Sequence, residues 1–191
     1  VISAPQDVAT LDGAGEWQRI QSALATSIKE RKVVVERLHK ATLAALRDRL
    51  RDLDQPIHCL HFIGHGLFDR QAQQGGLLFE DEARQSVLVS SDLFAAHLSD
   101  HRPLSLVFLN ACEAAAGGEA NYFAGVAQAL VQRNLPAVIA MQYAVSDGVS
   151  VELAGNFYDA VADGYPIDAA LAEARKAVFG AGNSLQWGTP V

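Results

Sequence analysis

The sequence has few cysteines and no long apolar run. Its 191 residues include two cysteines, Cys59 and Cys112, which are too few for a disulfide framework. We therefore expect a reducing compartment and a cytoplasmic location. No apolar segment approaches the roughly 20 residues that a membrane span needs, and the first residues form no targeting signal. We expect no membrane association.

An excess of positive charge is also missing. The formal net charge is −7, and residues of both signs are interspersed along the chain. This balance argues against direct nucleic-acid binding. The glycine pairs at residues 75–76 and 117–118 fit neither a phosphate-binding loop nor a dinucleotide fingerprint, which excludes nucleotide hydrolysis.

The length and the apolar content are enough for one domain with a real core. Half of the residues are hydrophobic and 19% are charged, as in ordinary globular domains. We predict a single domain over residues 1–191. Because the chain begins without Met, we expect this domain to be part of a longer protein.

Strand-like and helix-like patterns alternate along the chain. Short apolar runs predict strands at residues 1–5, 33–35, 57–66, 104–112 and 135–141. Helical spacing occurs at residues 16–31, 43–53, 92–98, 121–132, 147–162 and 166–178. Residues 75–79 and 86–89, joined by the acidic turn 80–82, predict a small hairpin beside the sheet. The alternation predicts an α/β fold whose mostly parallel sheet has helices on both faces.

Two of the predicted strands end on reactive side chains. His65 lies between Gly64 and Gly66, and Cys112 closes the next buried strand. Ligands bind at the carboxyl ends of the strands in open α/β sheets, so we expect both side chains at one edge. A nearby imidazole lowers the pKa of a thiol and can later protonate a leaving amine. We predict a Cys112 nucleophile, a His65 base, and an oxyanion hole made by the N–H groups of Gly66 and Cys112.

The other thiol and the other histidines of this region do not need a catalytic role. A buried cysteine is usually a small hydrophobe, and we adopt that interpretation for Cys59, which lies inside a predicted strand. A zinc site from His58, Cys59, His61 and His65 is excluded because a strand scatters its side chains over two faces. We expect no metal and no cofactor.

Three segments resemble the conserved blocks of CHAT domains, which are caspase-like cysteine peptidases related to separase. They are residues 61–66, 109–113 and 140–147, and the resemblance continues to residues 187–190. Cys112 follows His65 by 47 positions, close to the caspase spacing of about 50. The resemblance implies a three-layer α/β/α sandwich, with His65 as base and Cys112 as nucleophile. It also implies cleavage of a partner protein, and a TPR-type or sensor domain in the full-length chain.

The same resemblance suggests two substrate-binding residues. Asn110 lies two residues before the cysteine, where caspases place the floor of the P1 pocket. Residues 145–147 resemble the separase segment whose acid binds a P1 arginine, so Asp147 is expected to favour a basic P1 residue. The alternative for Asp147 is a plain helix N-cap. The caspase pattern fails after Cys112, where Glu113 and Ala114 replace Arg-Gly.

These observations leave three functions open. The first is a cysteine endopeptidase with a Cys112–His65 dyad. The second is an inactive caspase-like scaffold that binds partners or oligomerises. The third is a latent protease, whose natural mobile pieces are the loop at residues 113–121 and the segment at residues 67–90.

Overall fold

The computed structural model describes residues 1–69, 74–113, 122–143, 145–182 and 186–191. The chain divides into two compact units, one comprising Val1–Leu11, Leu38–Ala144 and Val191, the other Asp12–Arg37 and Val145–Pro190. None of the helices described is both long and apolar enough to cross a membrane. In chain order the elements are α1 (Gly13–Ala23), α2 (Ala25–Lys29), α3 (Leu43–Leu50), β1 (Cys59–Asp69), β2 (Gln74–Glu80), β3 (Ser86–Ser90), α4 (Ser91–Ser99), β4 (Leu106–Glu113), α5 (Tyr122–Gln132), β5 (Ala137–Ala140), α6 (Asp147–Ala162) and α7 (Ile167–Gly180).

The first unit contains a five-stranded sheet in the order β3-β2-β1-β4-β5. Strands β1, β4 and β5 pair in parallel, whereas β2 is antiparallel to both β1 and β3. Four of the five strands therefore run in the same direction, and the expected mixed α/β architecture is confirmed. Beyond β5, Ala140 and Val191 exchange backbone hydrogen bonds of 2.9 and 3.0 Å.

One face of the sheet carries the core of this unit. Alternate residues of the strands pack there against α3, α4 and α5, as the period of two along a strand requires. The buried cluster is Leu46, Leu50, Leu60, Phe62, Leu77, Phe79, Val89, Phe94, Ala95, Leu98, Leu104, Val107, Leu109, Val126, Ala129, Leu130 and Ala140. The intervening residues of β1, which include His61 and His65, leave the sheet on the opposite face. The three-layer arrangement stays a prediction.

Several details differ from the sequence predictions. The hairpin formed by β2 and β3 does not lie beside the sheet but extends it, because β2 continues the ladder along the second half of β1. Residues 33–35 form no strand, and Val34 is 83% exposed. β-branched residues favour a strand where neighbouring side chains pack around them, and the exposed Val34 lacks that packing. Helix α3 ends at Leu50, which leaves Leu53 outside it and exposed.

The second unit is helical in its described part. Both α1 and α7 pack against α6. The predicted long helix at residues 16–31 is interrupted at Leu24, where α1 ends and α2 begins. Gly164, whose φ is +88°, follows the C-cap Asp163 of α6, and Pro166 occupies the N-cap position of α7. These punctuation residues end and begin helices where the sequence predicted.

Candidate active site

Strand β1 pairs with β4 on one side and with β2 on the other, and His65 belongs to both ladders. Its first half pairs in parallel with β4 from Cys59 to Gly66, and its second half pairs antiparallel with β2 from His65 to Asp69. His65 is therefore not at the end of a strand, as expected, but near the end of the parallel ladder. Its register partner on β4 is Cys112. Neighbouring strands lie about 4.8 Å apart, so the two backbones are adjacent at these positions.

The imidazole of His65 is buried and anchored to the backbone. The residue is 1% exposed, and Nε2 lies 2.8 Å from the carbonyl oxygen of Ala9. Because a carbonyl oxygen only accepts hydrogen bonds, Nε2 carries the hydrogen in this arrangement. In the neutral ring the lone pair is then on Nδ1, which is the nitrogen able to accept a proton.

The two predicted oxyanion donors lie within the β1–β4 ladder. The N–H of Ile63 donates to the Val1 carbonyl and its C=O accepts from the Ser3 N–H, at 2.8 Å each, so these groups face away from β4. Because the direction of the backbone groups alternates along a strand, the N–H and C=O of Gly66 are directed towards β4. In a regular parallel ladder with this register, the N–H of Gly66 donates to the carbonyl of Cys112. By the same rule the N–H of Cys112 donates to Gly64. Both amides are engaged between strands in this conformation.

Asn110 is close to His65 and buried. It is the register partner of Ile63 and is 3% exposed. The rings of His61 and Phe108, another register pair, stack with centroids 4.6 Å apart, which shows that paired residues of β1 and β4 leave the same face. His65 and Asn110 therefore project from the same face of the sheet. The structure thus brings His65, Gly66, Asn110 and Cys112 together along two adjacent strands.

Asp147 lies in the second unit, at the first position of α6. The N-cap is Ser146, so the interpretation of Asp147 as the cap residue is wrong. The N–H and hydroxyl of Ser146 donate to Oε1 of Gln186 at 3.1 and 3.3 Å. The exposed carboxylate of Asp147 accepts a 3.2 Å hydrogen bond from the N–H of Asp12, the N-cap of α1. This carboxylate is therefore exposed to solvent at the surface of the second unit.

Sequence reasoning missed one functional group and misjudged one thiol. The Ala9 carbonyl has no sequence signal, because every residue carries a backbone carbonyl. Cys59 is the first residue of β1 and is exposed, so the interpretation of it as a buried hydrophobe is wrong. The predicted mobile loop at 113–121 lies outside the described residues from residue 114 onwards.

The mixed sheet, with a histidine and a cysteine at matched positions of two parallel strands, is compatible with the caspase-like class. Comparison with protein families finds a match to the CHAT domain over residues 2–185. The chain therefore belongs to the CHAT-domain family, within the caspase-like cysteine peptidase clan. No curated protein sequence matches the chain.

Proposed function

We propose that this protein is a cysteine endopeptidase with Cys112 as nucleophile and His65 as general base. The observation that carries the proposal is the register of β1 and β4, which pairs these two residues. The contact between Nε2 of His65 and the Ala9 carbonyl supports it, because it leaves Nδ1 as the basic nitrogen. The proposal requires the thiol to lie within hydrogen-bond reach of Nδ1.

The reaction follows from these roles. Nδ1 takes the thiol proton, and the thiolate attacks the carbonyl carbon of the scissile peptide bond. The imidazolium then gives that proton to the departing amine, which leaves an acyl-enzyme. A water molecule, deprotonated by the same nitrogen, hydrolyses the thioester and restores the thiol. The Ala9 carbonyl, which accepts the hydrogen of Nε2, holds the ring in place.

The conformation described corresponds in this proposal to a latent state. An oxyanion hole needs N–H groups directed at the developing negative charge, whereas those of Gly66 and Cys112 are directed into the ladder. Catalysis therefore requires the last pairs of the β1–β4 ladder to open, which would also expose His65 to a substrate. We propose that a sensor or TPR-type module in the full-length cytoplasmic protein triggers this opening.

For the substrate we propose a protein with a basic P1 residue. The resemblance supports both residues: Asp147 carries an exposed carboxylate that can pair with a cation, and Asn110 has the sequence position that forms the P1 pocket floor in caspases. A P1 peptide library compared between wild type and Asp147→Ala tests this specificity. Asp168→Ala, which removes an exposed acid from the first turn of α7, is the matched control. Equal P1 preference in the wild-type and Asp147→Ala proteins would remove Asp147 from the pocket.

The alternative function is an inactive caspase-like scaffold that binds partners. The burial of His65 and the closed ladder favour it as much as they favour latency. A thiol-reactive peptide probe separates the two classes, and it is applied to the Cys59→Ser protein because Cys59 is exposed and would react non-specifically. We expect labelling of Cys112 that saturates with probe concentration and falls at least tenfold in His65→Gln.

Two further variants complete this test. Cys112→Ala in the same background must abolish labelling, which shows that no other nucleophile reacts. Labelling of Cys112 that does not depend on His65 would contradict the dyad. If Cys112 is not labelled at any probe concentration, even with an activator present, the scaffold function is supported instead.

A further inference from the structure

The amino-terminal segment connects the β2–β3 hairpin to His65. We call residues 3–9 the strap. Its contacts with the hairpin, all within the first unit, are Ser3 Oγ to the Leu78 carbonyl (2.7 Å), Ala4 N–H to Glu80 Oε1 (2.8 Å), Gln6 N–H to the Arg84 carbonyl (2.9 Å), and the Asp7 carboxylate to Ser86. The strap then reaches Ala9, whose carbonyl accepts from Nε2 of His65.

Asp7 makes the last of these anchoring contacts before Ala9. Its Oδ1 accepts from the N–H of Ser86 at 2.8 Å, and its Oδ2 accepts from the Ser86 hydroxyl at 2.7 Å. Two hydrogen bonds to one residue fix the direction of the carboxylate as well as its position. The hydroxyl contact holds the pKa of Asp7 below its ordinary value of 3.8, so the carboxylate is charged at neutral pH.

The length of chain between the Asp7–Ser86 contact and the carbonyl that holds His65 is short. Only Val8 separates Asp7 from Ala9, and two residues of chain span at most about 7 Å. Ser86 is the first residue of β3, whose ladder with β2 holds it against the rest of the sheet. A fixed point two residues from Ala9 therefore restricts where the Ala9 carbonyl can point.

We propose that Asp7 and Ser86 are positioning residues for the base: through the strap they orient the Ala9 carbonyl, which holds the His65 ring with hydrogen on Nε2. The inference rests on the proposed peptidase function for its kinetic consequence. Its structural consequence, the tautomer and orientation of His65, does not depend on activity. The hairpin is thereby part of the machinery that aligns the base.

The test compares three variants with the wild-type protein. Asp7→Ala removes both hydrogen bonds to Ser86. Asp7→Asn keeps both, because its Oδ1 accepts from the Ser86 N–H and its amide N–H donates to the Ser86 hydroxyl oxygen. Glu82→Gln, the matched control, weakens the exposed ion pair between Lys40 and Glu82 on the same hairpin turn and leaves the strap contacts in place.

The first readout is the nitrogen NMR signature of the His65 ring in histidine-labelled protein. We expect a ring protonated at Nε2 in wild type, Asp7→Asn and Glu82→Gln, and a mixture of both neutral tautomers in Asp7→Ala. The proposal is overturned if Asp7→Ala keeps the wild-type signature, or if Asp7→Asn changes it as much as Asp7→Ala does.

The second readout is peptide cleavage. A misplaced catalytic group can cost up to about 100-fold in rate, so we expect kcat of Asp7→Ala to fall roughly 10- to 100-fold with KM little changed. An unchanged kcat in Asp7→Ala contradicts the positioning role. If the wild-type protein cleaves nothing even with an activator present, the proposed function fails, while the NMR signature still decides whether Asp7 positions His65.

Discussion

Replacing Gly64 by Ala tests how tightly the strand that carries His65 is packed. A Cβ at this position would lie 2.6 Å from Cε1 and 2.8 Å from Cζ of Phe62, and 3.3 Å from Cβ of Ser3. Carbon atoms in contact are normally about 3.5–4.0 Å apart, so the ring must move by roughly an ångström. Phe62 is fully buried, and its ring lies against Phe79 with centroids 5.3 Å apart. The ring is therefore confined by the side chains around it.

The size of the effect follows from this confinement. Inserting a carbon into a packed core costs about 1–3 kcal/mol, and we expect Gly64→Ala to destabilise the protein by that amount. Phe62→Leu relieves the contact, since the ring atoms that clash are gone, and by itself it costs about 1–2 kcal/mol. If the clash is with the ring, the double variant is less destabilised than the sum of the two single variants by at least about 1 kcal/mol.

Urea unfolding of the four proteins in this cycle measures the coupling. Gly148→Ala is the matched control, because a Cβ at Gly148 meets no atom of the described residues within 4 Å and alanine favours a helix. We expect Gly148→Ala to be neutral or slightly stabilising. Additive effects of Gly64→Ala and Phe62→Leu, or an unchanged stability in Gly64→Ala, would refute the packing argument.

Three further predictions concern other parts of the chain. Gly76→Ala should lower the free energy of unfolding more than Gly64→Ala does, as urea unfolding measures it. The Cβ at position 76 would lie 2.3 Å from the backbone oxygen of Val89, a clash that no side-chain movement relieves. Ser150→Ala should leave the stability measured by thermal unfolding unchanged or raise it by about 0.5–1 kcal/mol, since the buried Ser150 hydroxyl has no hydrogen-bond partner within the described part of the chain. A loss of stability greater than about 1 kcal/mol would instead reveal a partner. Because the folded pKa of Asp7 lies below its unfolded value of 3.8, the Ser86 contact stabilises the protein above that pH. Wild type should therefore lose stability relative to Asp7→Asn as the pH falls below about 4, and parallel pH profiles would contradict this.

The parts of the fold that depend on local chemistry could be predicted from the sequence. Ser90 and Ser146 are N-caps where Ser-Ser-Asp and Ser-Asp precede apolar helical spacing, and Ser90 Oγ accepts from the N–H of Leu93 at 3.4 Å. The strands that carry His65 and Cys112 could be found from their apolar runs, because strands buried on both faces have that composition.

The parts that depend on distant pairing could not. A β-branched run at residues 33–35 has strand propensity but forms no ladder, and propensity alone does not supply a partner. The sequence showed the β2–β3 hairpin, but not that β1 would be long enough to pair with it. The Ala9 carbonyl is a backbone group, so its role emerges only when the chain brings residue 9 to His65.

The most direct test of the proposed dyad is a disulfide between the two register positions. In His65→Cys, made in the Cys59→Ser background, the new thiol and Cys112 lie on adjacent strands. Neighbouring strands are about 4.8 Å apart, within the Cα separations of about 4.4–6.8 Å that disulfides span. His61→Cys in the same background, four residues earlier on β1, is the control, at roughly 13 Å along the strand. Mild oxidation followed by peptide mass spectrometry should find the cross-link in the first protein and not in the second. No cross-link at position 65, or equal cross-linking from position 61, would contradict the pairing on which the catalytic role of Cys112 and His65 depends.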